Sequence, residues 1–218
     1  ADQQAAPAAA PAGSTPVNPK DDGFWGNTIT VINNFADKVL NLTLKDVKID
    51  VSDTGGDNFE FEDAQRGKAA LSVQGKGNVE IELDGNNELK SGVQRAGLEK
   101  NTSAGTLTLK DDKEAGSGSL KATGGKYGAG IGGGATGSGS NVTVSGAAQV
   151  TATTGKSDGY YGAGATIGNG GNMTDDGQPV DGEEIQADIR GVTTGYIHHI
   201  IYNPDLDSDG KPDGILKE

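Results

Sequence analysis

Four short segments of the chain carry apolar residues at every second position: Leu40-Leu42-Leu44, Val79-Ile81-Leu83, Leu107-Leu109 and Val142-Val144. Such alternation, bounded by Gly, Asn and Asp, predicts β-strands that bury one face. After each comes a turn and a second short apolar stretch, at Val47/Ile49/Val51, Leu89, Leu120 and Val150. Small-residue stretches of similar design fall at equivalent points: KAAL at 68–71, RAGL at 95–98, YGAGI at 127–131 and YGAGA at 161–165. No stretch of helical length shows a 3.6-residue period. The unit is strand, turn, strand and Gly/Ala-rich turn, repeated four times.

The equivalent positions Leu44, Leu83, Leu109 and Val144 stand 39, 26 and 35 residues apart. Repeat families of fixed period do not tolerate such spacing, whereas a solenoid with insertions in its turns does. The expected fold is all-β: a right-handed parallel β-helix with irregular coil lengths, whose stacked coils share one continuous core. With those four residues inward, Lys45, Asp84, Lys110 and Ser145 point outward on adjacent coils. Neighbouring strands lie about 4.8 Å apart, so the alternating signs of the first three favour this register.

Composition argues the other way. Leu, Ile, Val and Phe together number 41 of 218 residues, there are 37 glycines, and the formal charge is -13. These values belong to disordered chains. A core one or two side chains wide removes the conflict, because it needs few large aliphatics and each contributes roughly 1.5–3 kcal/mol when buried. Three regions follow: a disordered Ala/Pro-rich linker over 1–22, the β-helix over 23–171, and an acidic C-terminal cap over 172–218. The cap holds 11 acidic residues against 3 basic ones and two potential strands, 185–190 and 195–202. At the front, 28–32 and the Phe24-Trp25 pair are expected to cover the open strand edges,. The net charge opposes binding to nucleic acid. No run of 18 apolar residues exists to cross a membrane as a helix,. The absence of cysteine removes disulfide and thiolate chemistry,.

Two candidate sites emerge. Asp205, Asp207, Asp209 and Asp213, with Gly210 at the sixth position, place carboxylates at positions 1, 3, 5 and 9 of a calcium loop,. Leu216 stands where an EF-hand has its bidentate Glu. The run therefore resembles the DxDxDGxxD loops of dockerin and thrombospondin-type repeats, which implies Ca²⁺. The second site follows from the coil alignment. Lys68 and Arg95 fall at equivalent corners, and Tyr127 and Tyr161 one position earlier on the next coils. Stacked cations call for an anion between or over them, and stacked tyrosine faces suit the C–H face of a sugar ring.

Other motifs carry less. Glu80, Glu82 and Asp84 alternate along one strand and read as a surface charge stripe, with no opposing carboxylates for glycoside hydrolysis,. His198 and His199 are neighbours on a strand, so they point to opposite faces,. The Gly-rich YGAGIGGGATGSG lacks the Lys and following helix of a phosphate loop,.

The runs NVEIELDGNNELKSGVQRAGLEKN, GSLKATGGKYGAGIGGG and NVTVSGAAQVTATTG resemble bacterial surface proteins described as carbohydrate-binding-domain proteins, over residues 39–170. The resemblance implies a right-handed β-helix, export to the cell surface or medium, bound calcium, and non-catalytic, adhesive binding of plant-type or acidic polysaccharide. No motif of that family fixes its ligand residues here. The chain is thus expected to be a monomeric module of a larger surface protein. A structural stalk is the first alternative, and a polysaccharide lyase or glycoside hydrolase on the same fold is the second.

Overall fold

In the computed structural model, residues 23–56, 66–113, 118–203 and 213–217 are described, with 202–203 and 213–217 as backbone only. The linker region 1–22 and Asp205, Asp207 and Asp209 lie outside them. The described residues are all-β and contain no helix.

The alternating segments become β2 (Val39–Lys45), β5 (Asn78–Asp84), β8 (Leu107–Asp111) and β11 (Val142–Gly146), joined by β16 (Asp188–Val192) in one parallel sheet. The second apolar stretches become β3 (Lys48–Asp50), β6 (Asn86–Lys90), β9 (Ser119–Thr123) and β12 (Gln149–Thr153). With β17 (Tyr196–Asn203) they form another parallel sheet, which β18 (Asp213–Lys217) closes antiparallel. A third parallel sheet holds β1 (Ile29–Ile32), β4 (Leu71–Gln74), β7 (Leu98–Glu99), β10 (Ile131–Gly132) and β13 (Ile167–Gly168). The chain visits the three sheets in the same order five times, ending with β13, β16 and β17. Among the described residues, only β14 (Asn172–Met173) and β15 (Pro179–Val180) stand apart, as a two-stranded antiparallel pair.

Leu44, Leu83, Leu98, Leu107, Leu109 and Ile131 are fully buried between the sheets, in one apolar cluster that runs from Val31 to Ala187. Corners are closed by side-chain amides. Asn87, itself buried, accepts from the Val47 backbone N–H at 2.9 Å and donates to the Ser119 carbonyl at 3.0 Å, tying three successive rounds together. Glycine is required where β10 meets β13. Gly132 and Gly168 are paired at φ of 132° and 142°, and a Cβ on Gly132 would lie 2.1 Å from the Gly168 carbonyl oxygen,.

Two expected registers shift by two residues. Leu44 does face Leu83, and Leu109 faces Val144, but Leu109 lies opposite Ile81 rather than Leu83. A two-residue slip keeps every apolar side chain inward, so alternation alone does not distinguish the registers. Lys110 consequently stands beside Glu82 instead of Asp84, and reaches Glu80 at 3.1 Å and Asp112 at 2.9 Å. Asp84 is met by Lys45 at 3.4 Å and Lys113 at 2.8 Å, so Glu80 and Asp84 of the stripe both keep lysine partners. In the other sheet Ile131 pairs with Ile167, which sets Tyr161 two positions before the level of Tyr127. At the front, Trp25 covers the edge of β3 as expected, bridging to Ile49. The segment 28–32 instead supplies β1, itself the first strand of its sheet, against β4.

Candidate functional site

Leu71 pairs with Leu98, as the alignment of KAAL with RAGL expects, but in the corner before them the Lys68 carbonyl accepts from the Gly92 N–H and the Gly67 N–H donates to the Val93 carbonyl. The anion expected over the two cations comes, for Arg95, from the chain itself. Glu99 follows Leu98 on the outward column formed by Ser72, Glu99 and Gly132, and its residue is only 3% exposed. Arg95 Nη1 meets Glu99 Oε1 at 3.1 Å, and Arg95 Nε donates to the Gly67 carbonyl at 2.9 Å. The other Glu99 oxygen accepts the Ala96 N–H at 3.3 Å. Burial pushes the Glu99 carboxyl above its ordinary value, and the charge of Arg95, the Ala96 N–H and the more distant Arg66 pull it back,. Lys68 keeps an exposed side chain, while its backbone is tied to Thr54 and Gly92.

Beside this pair lies a cleft of about 530 Å³, bordered by Asn34, Ser72, Gln74, Lys76, Arg95, Glu99, Asn101 and Thr102. One wall, 101–104, is held from beneath. Lys100, buried, donates from Nζ to the carbonyls of Thr102 at 2.6 Å and Ser140 at 2.9 Å. Burial keeps that ammonium below its ordinary value. Asn101 Oδ1 accepts the Gly134 N–H at 2.8 Å and so anchors the same wall to the next round. The Gln74 amide nitrogen approaches the Ser72 hydroxyl at 3.3 Å. The lining thus combines amides, hydroxyls, one guanidinium, one ammonium and the Glu99 carboxylate.

Tyr127 and Tyr161 do meet, but not as an open platform. Their ring centroids are 5.4 Å apart at 81°, and the residues are 5% and 6% exposed. Neither presents a ring face to a sugar, which corrects the expectation of stacked, accessible faces. The two-residue offset puts the rings edge to face, and the loop 156–160 folds against them. Tyr127 donates its hydroxyl to Asp158 at 2.6 Å, and Lys126 pairs with the same carboxylate at 2.7 Å. Burial opposes ionisation of Asp158, yet Lys126 and the Tyr127 hydroxyl hold it below its ordinary value.

Of the four residues proposed for carbohydrate, the structure therefore brings Arg95 alone to the cleft lining. Glu99, Asn101, Gln74, Lys76, Ser72 and Asn34 were not anticipated. One signal pointed to Glu99: a carboxylate at the residue after the aligned Leu98, where the next unit has Gly132. Asp213 begins β18 as backbone, and the other three calcium-loop aspartates fall outside the described residues. Among the described residues, no cluster of three or more His, Asp and Glu side chains is arranged to hold a metal ion.

Comparison with known protein families, with curated proteins and with solved structures finds no significant match.

Proposed function

We propose that the chain is a right-handed parallel β-helix of a secreted or cell-surface protein, and that it binds acidic polysaccharide without catalysis at the Arg95 cleft. The observation that carries this reading is the cleft's lining: amide and hydroxyl groups beside a guanidinium that, among the described residues, commits only part of its hydrogen-bonding capacity. Sugar hydroxyls match the first, and a uronate or sulfate group matches the second. Lys76 joins Arg95 in the lining, and Arg66 lies near enough for its charge to act on Glu99, in a chain whose formal charge is -13. Calcium at Asp205, Asp207, Asp209 and Asp213 belongs to the same reading, as a stabiliser of the C-terminal end.

The test is titration calorimetry against a panel of acidic and neutral polysaccharides, with the neutral pair Arg95→Gln plus Glu99→Gln as control. That double variant removes the cation without leaving a buried carboxylate unpaired. Acidic polymers are expected to bind and the double variant to lose about ten-fold or more, one charge-assisted contact being worth about 1.5–3 kcal/mol. An absence of binding across the panel would favour a structural stalk instead. The burial of Tyr127 and Tyr161 favours that second reading, since it leaves no aromatic platform at their corner.

A further inference from the structure

The last strand of the β1 sheet creates a second cleft, remote in kind from the Arg95 corner. Among the described residues β13 is the last strand of its sheet. At its open edge the Glu183 carbonyl accepts the Asn169 N–H at 3.0 Å, and the Glu184 side chain takes two more N–H groups. Glu184 Oε1 accepts from Thr166 N at 2.6 Å, and Oε2 accepts from Ile167 N at 3.2 Å and from Thr166 Oγ1 at 2.7 Å. The segment carrying Glu184 crosses antiparallel, bridging to Gly168. Thr166 Oγ1 also bonds His199 Nδ1, on β17. A cavity of about 300 Å³ opens beside these groups, bordered by Thr166, Glu184, Ile185, Gln186, His199 and Ile201.

Proton counting fixes the imidazole. Glu184 already accepts two backbone N–H groups, so it acts as acceptor for the Thr166 hydroxyl as well. That hydroxyl has one hydrogen, and giving it to Glu184 leaves Oγ1 an acceptor toward His199. Nδ1 of His199 must then carry the proton, and a neutral imidazole keeps its lone pair on Nε2. A carboxylate-backed hydrogen bond on one ring nitrogen is the arrangement that orients the other for a ligand. His199 borders the cavity and has no partner other than Thr166 among the described residues. Ile185 and Ile201 give the same cavity apolar walls. Small-molecule sites share this design, mostly apolar with a few placed polar atoms.

We propose that this cleft is a binding site for a hydroxyl-bearing aromatic ring of the phenol class, the hydroxyl donating to His199 Nε2 and the ring lying against Ile185 and Ile201. Tyr196 and His198, stacked with centroids 4.1 Å apart, face away on the opposite side of β17 and take no part,.

The test uses the intact ¹⁵N-labelled chain, whose two histidines give an uncrowded imidazole spectrum. In the free protein at pH 7.5, His199 should show a proton on Nδ1 and none on Nε2. Phenol should then shift the His199 Nε2 signal saturably and leave His198 still. Toluene, with no hydroxyl to donate, should bind about ten-fold more weakly, the worth of one hydrogen bond. Thr166→Ser should preserve the tautomer and Thr166→Val should lose it along with the phenol response. An Nε2–H tautomer in the free protein, no response of His199 to phenol, or equal affinity for phenol and toluene would each overturn the proposal. The wild-type spectrum alone decides the first point, so a poorly folding Thr166→Val variant does not weaken the test.

Discussion

The Arg95 corner and the tyrosine corner precede strands of the same sheet on neighbouring rounds, yet they dispose of their polar groups in opposite ways. Tyr127 spends its one hydroxyl on Asp158 and its ring against Tyr161. A guanidinium has five N–H donors, and Arg95 commits one to Gly67 and one to Glu99 among the described residues. The first corner has become part of the fold's own packing. The second is held together and still has donors to offer. A residue's type therefore says less about binding than how much of its capacity the fold consumes.

The largest effect expected from this contrast is on stability at the tyrosine corner. Tyr127→Ala removes a buried ring and strands Asp158 without its hydroxyl donor. Aromatic-to-alanine changes at such sites cost about 3 kcal/mol or more, which for a chain of this size lowers Tm by about 10 °C. Calorimetric melting measures it, and polysaccharide binding by the folded protein should be retained. A variant that melts normally but binds nothing would reverse the roles assigned to the two corners.

Next in size is the acidic C-terminal end, where a bound ion rather than packing would supply the stability. If Ca²⁺ is present at a hundred-fold excess over its Kd, it contributes about 2.7 kcal/mol. Chelation should then lower Tm, and Asp205→Asn plus Asp209→Asn should melt at the chelated temperature whether or not calcium is added. An unchanged Tm on chelation removes calcium from the account.

Much of this architecture is legible in the residues. Leu40-Leu42-Leu44 and Val79-Ile81-Leu83 announce β2 and β5, and the small-residue stretches lead into β4, β7 and β10. The segments expected at 185–190 and 195–202 overlap β16 and β17. Register was legible only modulo two residues, because Leu109 is equally well buried opposite Ile81 or Leu83. The Gly-rich run has the same degeneracy: YGAGA places Ala165 level with Ile131, whereas the sheet chooses Ile167. The cleft was hidden for a different reason. Its walls bring Asn34, Gln74 and Thr102 together from separate rounds, and that adjacency exists only once the stacking and the loop at 101–104 are known. The Thr166–Glu184–His199 chain was equally out of reach, since it joins a strand edge to segments 18 and 33 residues away.

The smallest effect is on pH dependence, and it tests whether Arg95 is shared between Glu99 and a ligand. Burial raises the Glu99 carboxyl above its ordinary value of 4.5, so the folded chain holds that proton more tightly than the unfolded chain does. Its favourable contribution is complete below the unfolded value and is lost as pH rises through the higher folded one. Asp84, Asp158 and Asp188 are shifted downward and act in the opposite sense. The quantity to follow is therefore the difference in Tm between wild type and Glu99→Gln. That difference should move in favour of wild type as pH falls from 7 to 5, by less than either effect above. Protonation of Glu99 also releases the Arg95 fork, so affinity for a sulfated polysaccharide, whose charge is constant over this range, should rise with the same midpoint. Glu99→Gln should bind with the low-pH affinity throughout. A stability difference that titrates while affinity does not would mean that Glu99 is sealed off from the ligand. The cleft would then owe its recognition to its amides and hydroxyls, and the two corners would differ in packing alone.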